Sequence, residues 1–139
     1  MAKILVVEDN ALNIKLFCDL LTAHGHHTQP VTDSREALEA ARGFMPDLII
    51  TDIQLPHLSG LELMELLRAD DLLKAVPIMA VTAYAAQGDD ERIRAAGASA
   101  YVSKPISVAR FAETVEQLLD THRPIVIGQE SGGTVAGAA

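Results

Sequence analysis

The chain has 139 residues, 49% of them apolar, and a net charge of −8. That length and apolar content suit one domain with a buried core and exclude a disordered chain. The excess of acid argues against a nucleic-acid surface, which needs a basic stripe.

The lone Cys18 cannot form an internal disulfide, fits a reducing cytosol and reads as an inert core thiol. Met1-Ala2-Lys3 leads straight into a strand, so no signal peptide is expected. No apolar run approaches the roughly 20 residues of a membrane span. A cytoplasmic location follows as the expectation.

Lys3 to Val7 reads as the first strand, with Glu8 and Asp9 at its end. The first helix runs from about Asn10 to His24, and Asn10 or Asp9 suits its cap. Leu12, Leu16 and Leu20 form one apolar row; Ile14, Phe17 and Leu21 form a second. Together they predict a wide stripe covered by a sheet, with Ile14, Phe17 and Leu21 either docking a partner or buried against the last helix. Gly25 ends the helix. His24, His26 and His27 follow it and are expected in a solvated turn. His26 to Val31 is a weak second strand, and Pro30 places it at an edge.

Asp33 and Glu36 predict a capping box for the second helix, which Gly43 stops. Asp47-Leu48-Ile49-Ile50-Thr51-Asp52 reads as a buried parallel strand, apolar on both faces, ending in a carboxylate. Ser59 and Glu62 predict a second capping box, opening a helix through Leu63, Met64, Leu66 and Leu67. Val76 to Val81 is the fourth strand. A poorly apolar helix from about Gly88 to Ala96 follows, and Gly97 stops it. Ser99 to Val102 is the fifth strand. Ser107 caps the last helix, with Val108, Phe111, Val115 and Leu118 on one face.

Five strands alternating with five helices predict an α/β fold: a doubly wound, five-stranded parallel sheet in the flavodoxin-like order 2-1-3-4-5. Residues 1–122 form the domain and 123–139 a flexible C-terminal tail.

In that fold all strand carboxyl ends share one edge, where open sheets bind ligands. Glu8 and Asp9, Asp52, Thr82 and Lys104 therefore converge. Each has an ordinary alternative: Asp52 as a turn cap, Glu8 and Asp9 as dipole caps, Thr82 as a strand end, Lys104 as a solvated lysine. Convergence of all five favours chemistry. Three carboxylates need a cation, and hard oxygen donors suit Mg²⁺. Asp52 is then a nucleophile for a phosphoryl group, with Lys104 and Thr82 on its oxygens.

Val7-Glu8-Asp9-Asn10, Asp52-Ile53-Gln54-Leu55-Pro56 with Ser59-Gly60, Val81-Thr82-Ala83 and Lys104-Pro105 resemble the receiver domain of two-component response regulators, over roughly residues 2–121. Asn10-Ala11-Leu12-Asn13 and Ser103-Lys104-Pro105-Ile106-Ser107-Val108 are similar to a stand-alone cell-division member. The resemblance implies phosphorylation of Asp52 by a histidine kinase or a histidine phosphotransfer protein. It implies Mg²⁺ held by Asp9, Asp52 and the Gln54 carbonyl, with Glu8 acting through water, and a cis peptide before Pro105. Thr82 and Tyr101 become a switch, and Gln54 and Tyr84 tune the acyl-phosphate lifetime. The chain would act as a monomeric phosphoacceptor that assists its own phosphorylation and dephosphorylation. Its output would pass to a protein partner through the fourth helix, fifth strand and fifth helix, or through the first helix.

A haloacid-dehalogenase-type phosphatase also uses an Asp after a strand, but wants a second Asp where Gln54 stands. A phosphate-independent pseudo-receiver is disfavoured by the intact acids, Thr82 and Lys104. No Gly-x-Gly-x-x-Gly or P-loop points to a nucleotide.

Overall fold

A computed structural model describes residues 2–83 and 89–121. The expectations for Tyr84, Gly88 and the tail 123–139 lie outside them.

The element order is β1 (Lys3–Val7), α1 (Ala11–Ala23), β2 (His27–Val31), α2 (Ala37–Phe44) after a 3-10 turn (Ser34–Glu36), β3 (Leu48–Asp52), α3 (Gly60–Ala69), β4 (Ile78–Thr82), α4 (Asp89–Ala96), β5 (Ala100–Ser103) and α5 (Val108–Thr121). The strands form one parallel sheet in the order β2-β1-β3-β4-β5. The weak β2 lies at the edge, with Pro30 opposite Val6.

The sheet is covered on both faces. Leu5, Val7, Ile49 and Ala80 face α2, α3 and α4, while Ile4, Val6, Ile50 and Val81 face α1 and α5. Alternating residues of a strand point to opposite faces, so β1, β3 and β4 are apolar at nearly every position. Each fully buried Leu, Ile or Val contributes about 1.5–3 kcal/mol. The α1–α5 layer is closed by Phe17 stacked on Phe111, ring centroids 5.2 Å apart.

Several local expectations change. Leu12 is 79% and Leu16 40% exposed, while Phe17 and Leu21 are buried. A row at spacing four turns about 40° further round the helix at each step, so Leu12 leaves the face that Phe17 and Leu21 occupy. Leu66 and Val108 are exposed too. Gly43 does not stop α2, which runs to Phe44 and ends at Met45 in the left-handed conformation. Asp33 caps the 3-10 turn, accepting from Arg35 N, and Glu36 at the α2 N-cap makes no side-chain cap bond. The Ser59–Glu62 capping box forms as expected.

His26 is buried and not solvated. Its Nδ1 accepts from Ala2 N at 3.2 Å, and Nε2 lies 2.7 Å from Glu116 Oε2. This pins the start of β1 to α5. His24 keeps the expected helix-end contact, Nδ1 lying 2.9 Å from Leu20 O.

Arg68 of α3 ties the far side together. Its guanidinium donates to Gly97 O at 2.6 and 2.9 Å and to Val76 O at 2.6 Å. Gly97 ends α4 at φ +126° directly over this side chain, a place where a Cβ would be both strained and obstructed.

Candidate phosphoryl-acceptor site

The carboxyl ends of β1, β3, β4 and β5 open on one edge because every strand is parallel. β1 runs out into Glu8 and Asp9, β3 closes on Asp52, β4 on Thr82, and Lys104 follows β5. The register sets Asp52 beside Val81 and Thr82 beside Ser103. Lys104 N donates to Thr82 O at 2.8 Å, which brings the lysine back over the edge. The Lys104–Pro105 peptide is cis, as the resemblance implied.

Asp52 is 5% exposed. Its Oδ2 accepts from Lys104 Nζ at 2.7 Å and its Oδ1 from Gln54 N at 3.0 Å. Glu8, 1% exposed, lies 3.5 Å from the same ammonium. Glu8 also accepts from Asn10 N at 3.1 Å and from Asn13 Nδ2 at 3.4 Å. Thr82 is buried at the same edge.

The electrostatics follow from burying like charges. Desolvation is the main cause that holds the Glu8 carboxyl above its ordinary 4.5, assisted by the charge of Asp52 and opposed by the Asn10 N–H and Lys104. Burial pulls Lys104 down, but the hydrogen bond and charge of Asp52, with Glu8, outweigh it and keep the ammonium above 10.5.

Among the described residues, Glu8, Asp9 and Asp52 form a group whose carboxylate oxygens lie within 4.8 Å of one another. An all-oxygen donor set with exposed Asp9 at its mouth fits a hard, partly hydrated divalent ion such as Mg²⁺.

The expected residues Glu8, Asp9, Asp52 and Lys104 thus meet, with Gln54 beside them through its backbone. Tyr101 stands apart on β5, half-buried, its ring under Arg94 at 5.8 Å and lining one cleft with Asp90. The site also uses residues to which the sequence reading gave no role of their own. Asn13 orients Glu8, and the Asn10–x–x–Asn13 spacing was a visible cue. Gly60 lies against the Asp52 backbone: a Cβ there would meet Asp52 O and come within 2.7 Å of Ile53 Cα.

The response regulator receiver domain family matches residues 4–116. The chain belongs to this family. It is 53% identical over 116 residues to the polar-differentiation response regulator DivK of Brucella anthropi, covering 84% of this chain and 94% of that one. DivK of Brucella ovis shows the same identity and coverage. Among solved structures, the chemotaxis response regulator CheY4 of Vibrio cholerae superposes with a TM-score of 0.80 at 27% identity, covering 85% of this chain and 98% of that one. The receiver domain of the sensor histidine kinase PA1611 of Pseudomonas aeruginosa superposes with a TM-score of 0.79 at 33% identity, covering 86% and 98%, and has a magnesium ion coordinated in its active-site cleft. The sheet order and five helices of this receiver domain are those expected from its sequence. No helix among its described residues is long and apolar enough to cross a membrane.

Proposed function

We propose that this receiver domain accepts a phosphoryl group on Asp52 from a histidine kinase or histidine phosphotransfer protein, in a Mg²⁺-dependent reaction. It then signals through phosphorylation-dependent protein contacts, in control of cell division or the cell cycle. The observation that carries this reading is Lys104 Nζ on Asp52 Oδ2 at 2.7 Å, beside a cluster of three carboxylates. The likeness to DivK supports the cellular role.

Asp52 attacks phosphorus in line. A P–N bond to the donor imidazole breaks, the leaving nitrogen keeps the electron pair and takes a proton, and Asp52 becomes a mixed anhydride. Asp9, Asp52 and the Gln54 carbonyl would hold Mg²⁺, with Glu8 reaching it through water. The ion supplies positive charge to the phosphoryl oxygens. Lys104 exchanges its carboxylate contact for a phosphoryl oxygen, and the Thr82 hydroxyl donates to another. Gln54 and Tyr84 would flank the path of the hydrolysing water. The chain assists both steps but does not turn over a separate substrate.

Phosphorylation adds close to two negative charges and three acceptor oxygens at this edge. Movement of Thr82 toward them would let Tyr101 leave Asp90 and turn inward. The output face would be α4, β5 and α5, where Asp90, Arg94, Tyr101, Ser103, Ser107 and Arg110 line a cleft of about 430 Å³. Leu12 and Leu16, exposed on α1, supply an apolar row for docking the phosphodonor. Phe17 and Leu21 of the other row are taken up by the core.

The test is incubation of wild type and Asp52→Asn with a small phosphodonor and Mg²⁺, read by intact mass. One phosphoryl adduct on wild type, absent from Asp52→Asn and from chelator-treated protein, is expected. An unmodified wild type would leave a phosphate-independent binding module as the reading.

A further inference from the structure

Ser34 lies in the 3-10 turn after β2, far in sequence from the acids, and is 2% exposed. Its hydroxyl points across to the loop that follows Asp52, within 2.6 Å of Leu58 O and 3.2 Å of Pro56 O. A hydroxyl has one hydrogen, shared between the two carbonyls or given mainly to the nearer one. Buried away from water, that bond is worth more to the loop's geometry than an exposed one.

The loop it grips is also held by Ile53, Leu55 and Leu58 packed against the core and by backbone hydrogen bonds at its ends. Ile53 N donates to Val81 O at 3.0 Å and Ile53 O accepts from Gly60 N at 2.9 Å, closing the two ends. Between them His57 sits at φ +68°, the left-handed region, uncommon for residues other than glycine although histidine enters it more readily than most. The Ser34 contacts fall on the residues immediately before and after His57. The loop's other end carries Gln54 N, which donates to Asp52 Oδ1 at 3.0 Å.

The segment containing Ser34 touches both acid-bearing loops. Val31 O accepts from Glu8 N at 3.1 Å. Three residues later Ser34 holds the loop after Asp52. Residues 31–34 therefore form a strap across the two strand ends that supply Glu8, Asp9 and Asp52.

We infer that Ser34 is a positioning residue for the acceptor site: its buried hydroxyl fixes the 53–58 loop so that the Gln54 backbone orients Asp52 toward the metal and the incoming phosphoryl group. This rests on the reading of the site as a Mg²⁺-dependent phosphoryl acceptor.

The test uses the full chain with Ser34→Ala, and Mg²⁺ binding followed by titration calorimetry. Losing one ordinary hydrogen bond corresponds to about a fivefold change in an equilibrium. Mg²⁺ affinity is expected to fall by about that factor. Saturating Mg²⁺ should restore the initial rate of labelling by a small phosphodonor, and the Gln54 amide proton should exchange faster. A purely structural role would lower the melting temperature in chelator and leave Mg²⁺ affinity and Gln54 exchange unchanged. That result overturns the inference. Should Ser34→Ala fail to fold, Ser34→Cys, somewhat larger and only a weak donor, carries the same measurements. A wild type that binds Mg²⁺ no more tightly than Ser34→Ala overturns the role of Ser34 alone. A wild type that binds no Mg²⁺ overturns the reading of the site beneath it.

Discussion

Lys104 Nζ bridges Asp52 Oδ2 at 2.7 Å and Glu8 Oε1 at 3.5 Å, so one ammonium neutralises acids from two different strands. Removing it leaves two buried carboxylates facing each other. In chelator, Lys104→Met is expected to lose about 1.5–3 kcal/mol in urea unfolding, the order of a hydrogen bond to a charged group. Mg²⁺ should recover part of that loss by replacing the missing charge. Labelling by a phosphodonor should slow by roughly a hundredfold, as for loss of a preorganised donor to transition-state charge.

The pH dependence of the metal-free protein should report Glu8. Burial, chiefly, raises its folded-state value above 4.5, so the folded state keeps a proton that the unfolded chain releases. Stability then falls as pH rises from 4.5 to the folded value and is level beyond it. Glu8→Gln has no proton to lose. Its unfolding midpoint in chelator should gain on wild type across that rise, while its Mg²⁺ affinity drops. Lys104 acts at the other end: raised above 10.5, it contributes stability below that pH, lost as pH climbs through its folded value.

Gly60 has no room for a side chain. A Cβ would collide with the backbone of Asp52 and Ile53, which cannot rotate away. Gly60→Ala should cost about 1–3 kcal/mol by overpacking. Because the obstruction is at Asp52 itself, Mg²⁺ affinity should fall as well, checked by calorimetry beside the melt. An alanine that leaves both unchanged would show that the α3 start shifts freely.

Hydrogen bonding to Asp90, with burial and the charge of that carboxylate, holds the Tyr101 phenol's ionisation above the ordinary 10. In a Tyr84→Phe background, Asp90→Asn should bring the absorbance titration of Tyr101 down toward that value. If phosphorylation turns Tyr101 inward, the same substitution should ease the turn and strengthen binding of a phosphorylation-dependent partner. An unmoved titration would mean that the bond does not hold in solution.

The parts read correctly from sequence share a cause. Short apolar strands, Pro30 at an edge, Gly25 and Gly97 after helices, and the Ser59–Glu62 box are all local consequences of backbone chemistry. The errors also share one. Leu12 and Leu16, Leu66, Val108 and His26 were assigned a side of the boundary between core and water, and periodicity names a face without saying what covers it. Gly43 was read as a stop because glycine favours a left-handed cap, yet Met45 takes that conformation.

By itself, the sequence determined that strands alternate with helices and that Glu8, Asp9, Asp52, Thr82 and Lys104 stand at strand ends, because parallel crossovers leave few topologies. Tertiary structure alone decided that His26 joins β1 to α5, that Gly60 lies against Asp52, and that Ser34 reaches the loop after Asp52. Those relations join residues distant in the chain. Only packing brings their atoms within hydrogen-bonding or van der Waals reach, and no local pattern encodes that distance.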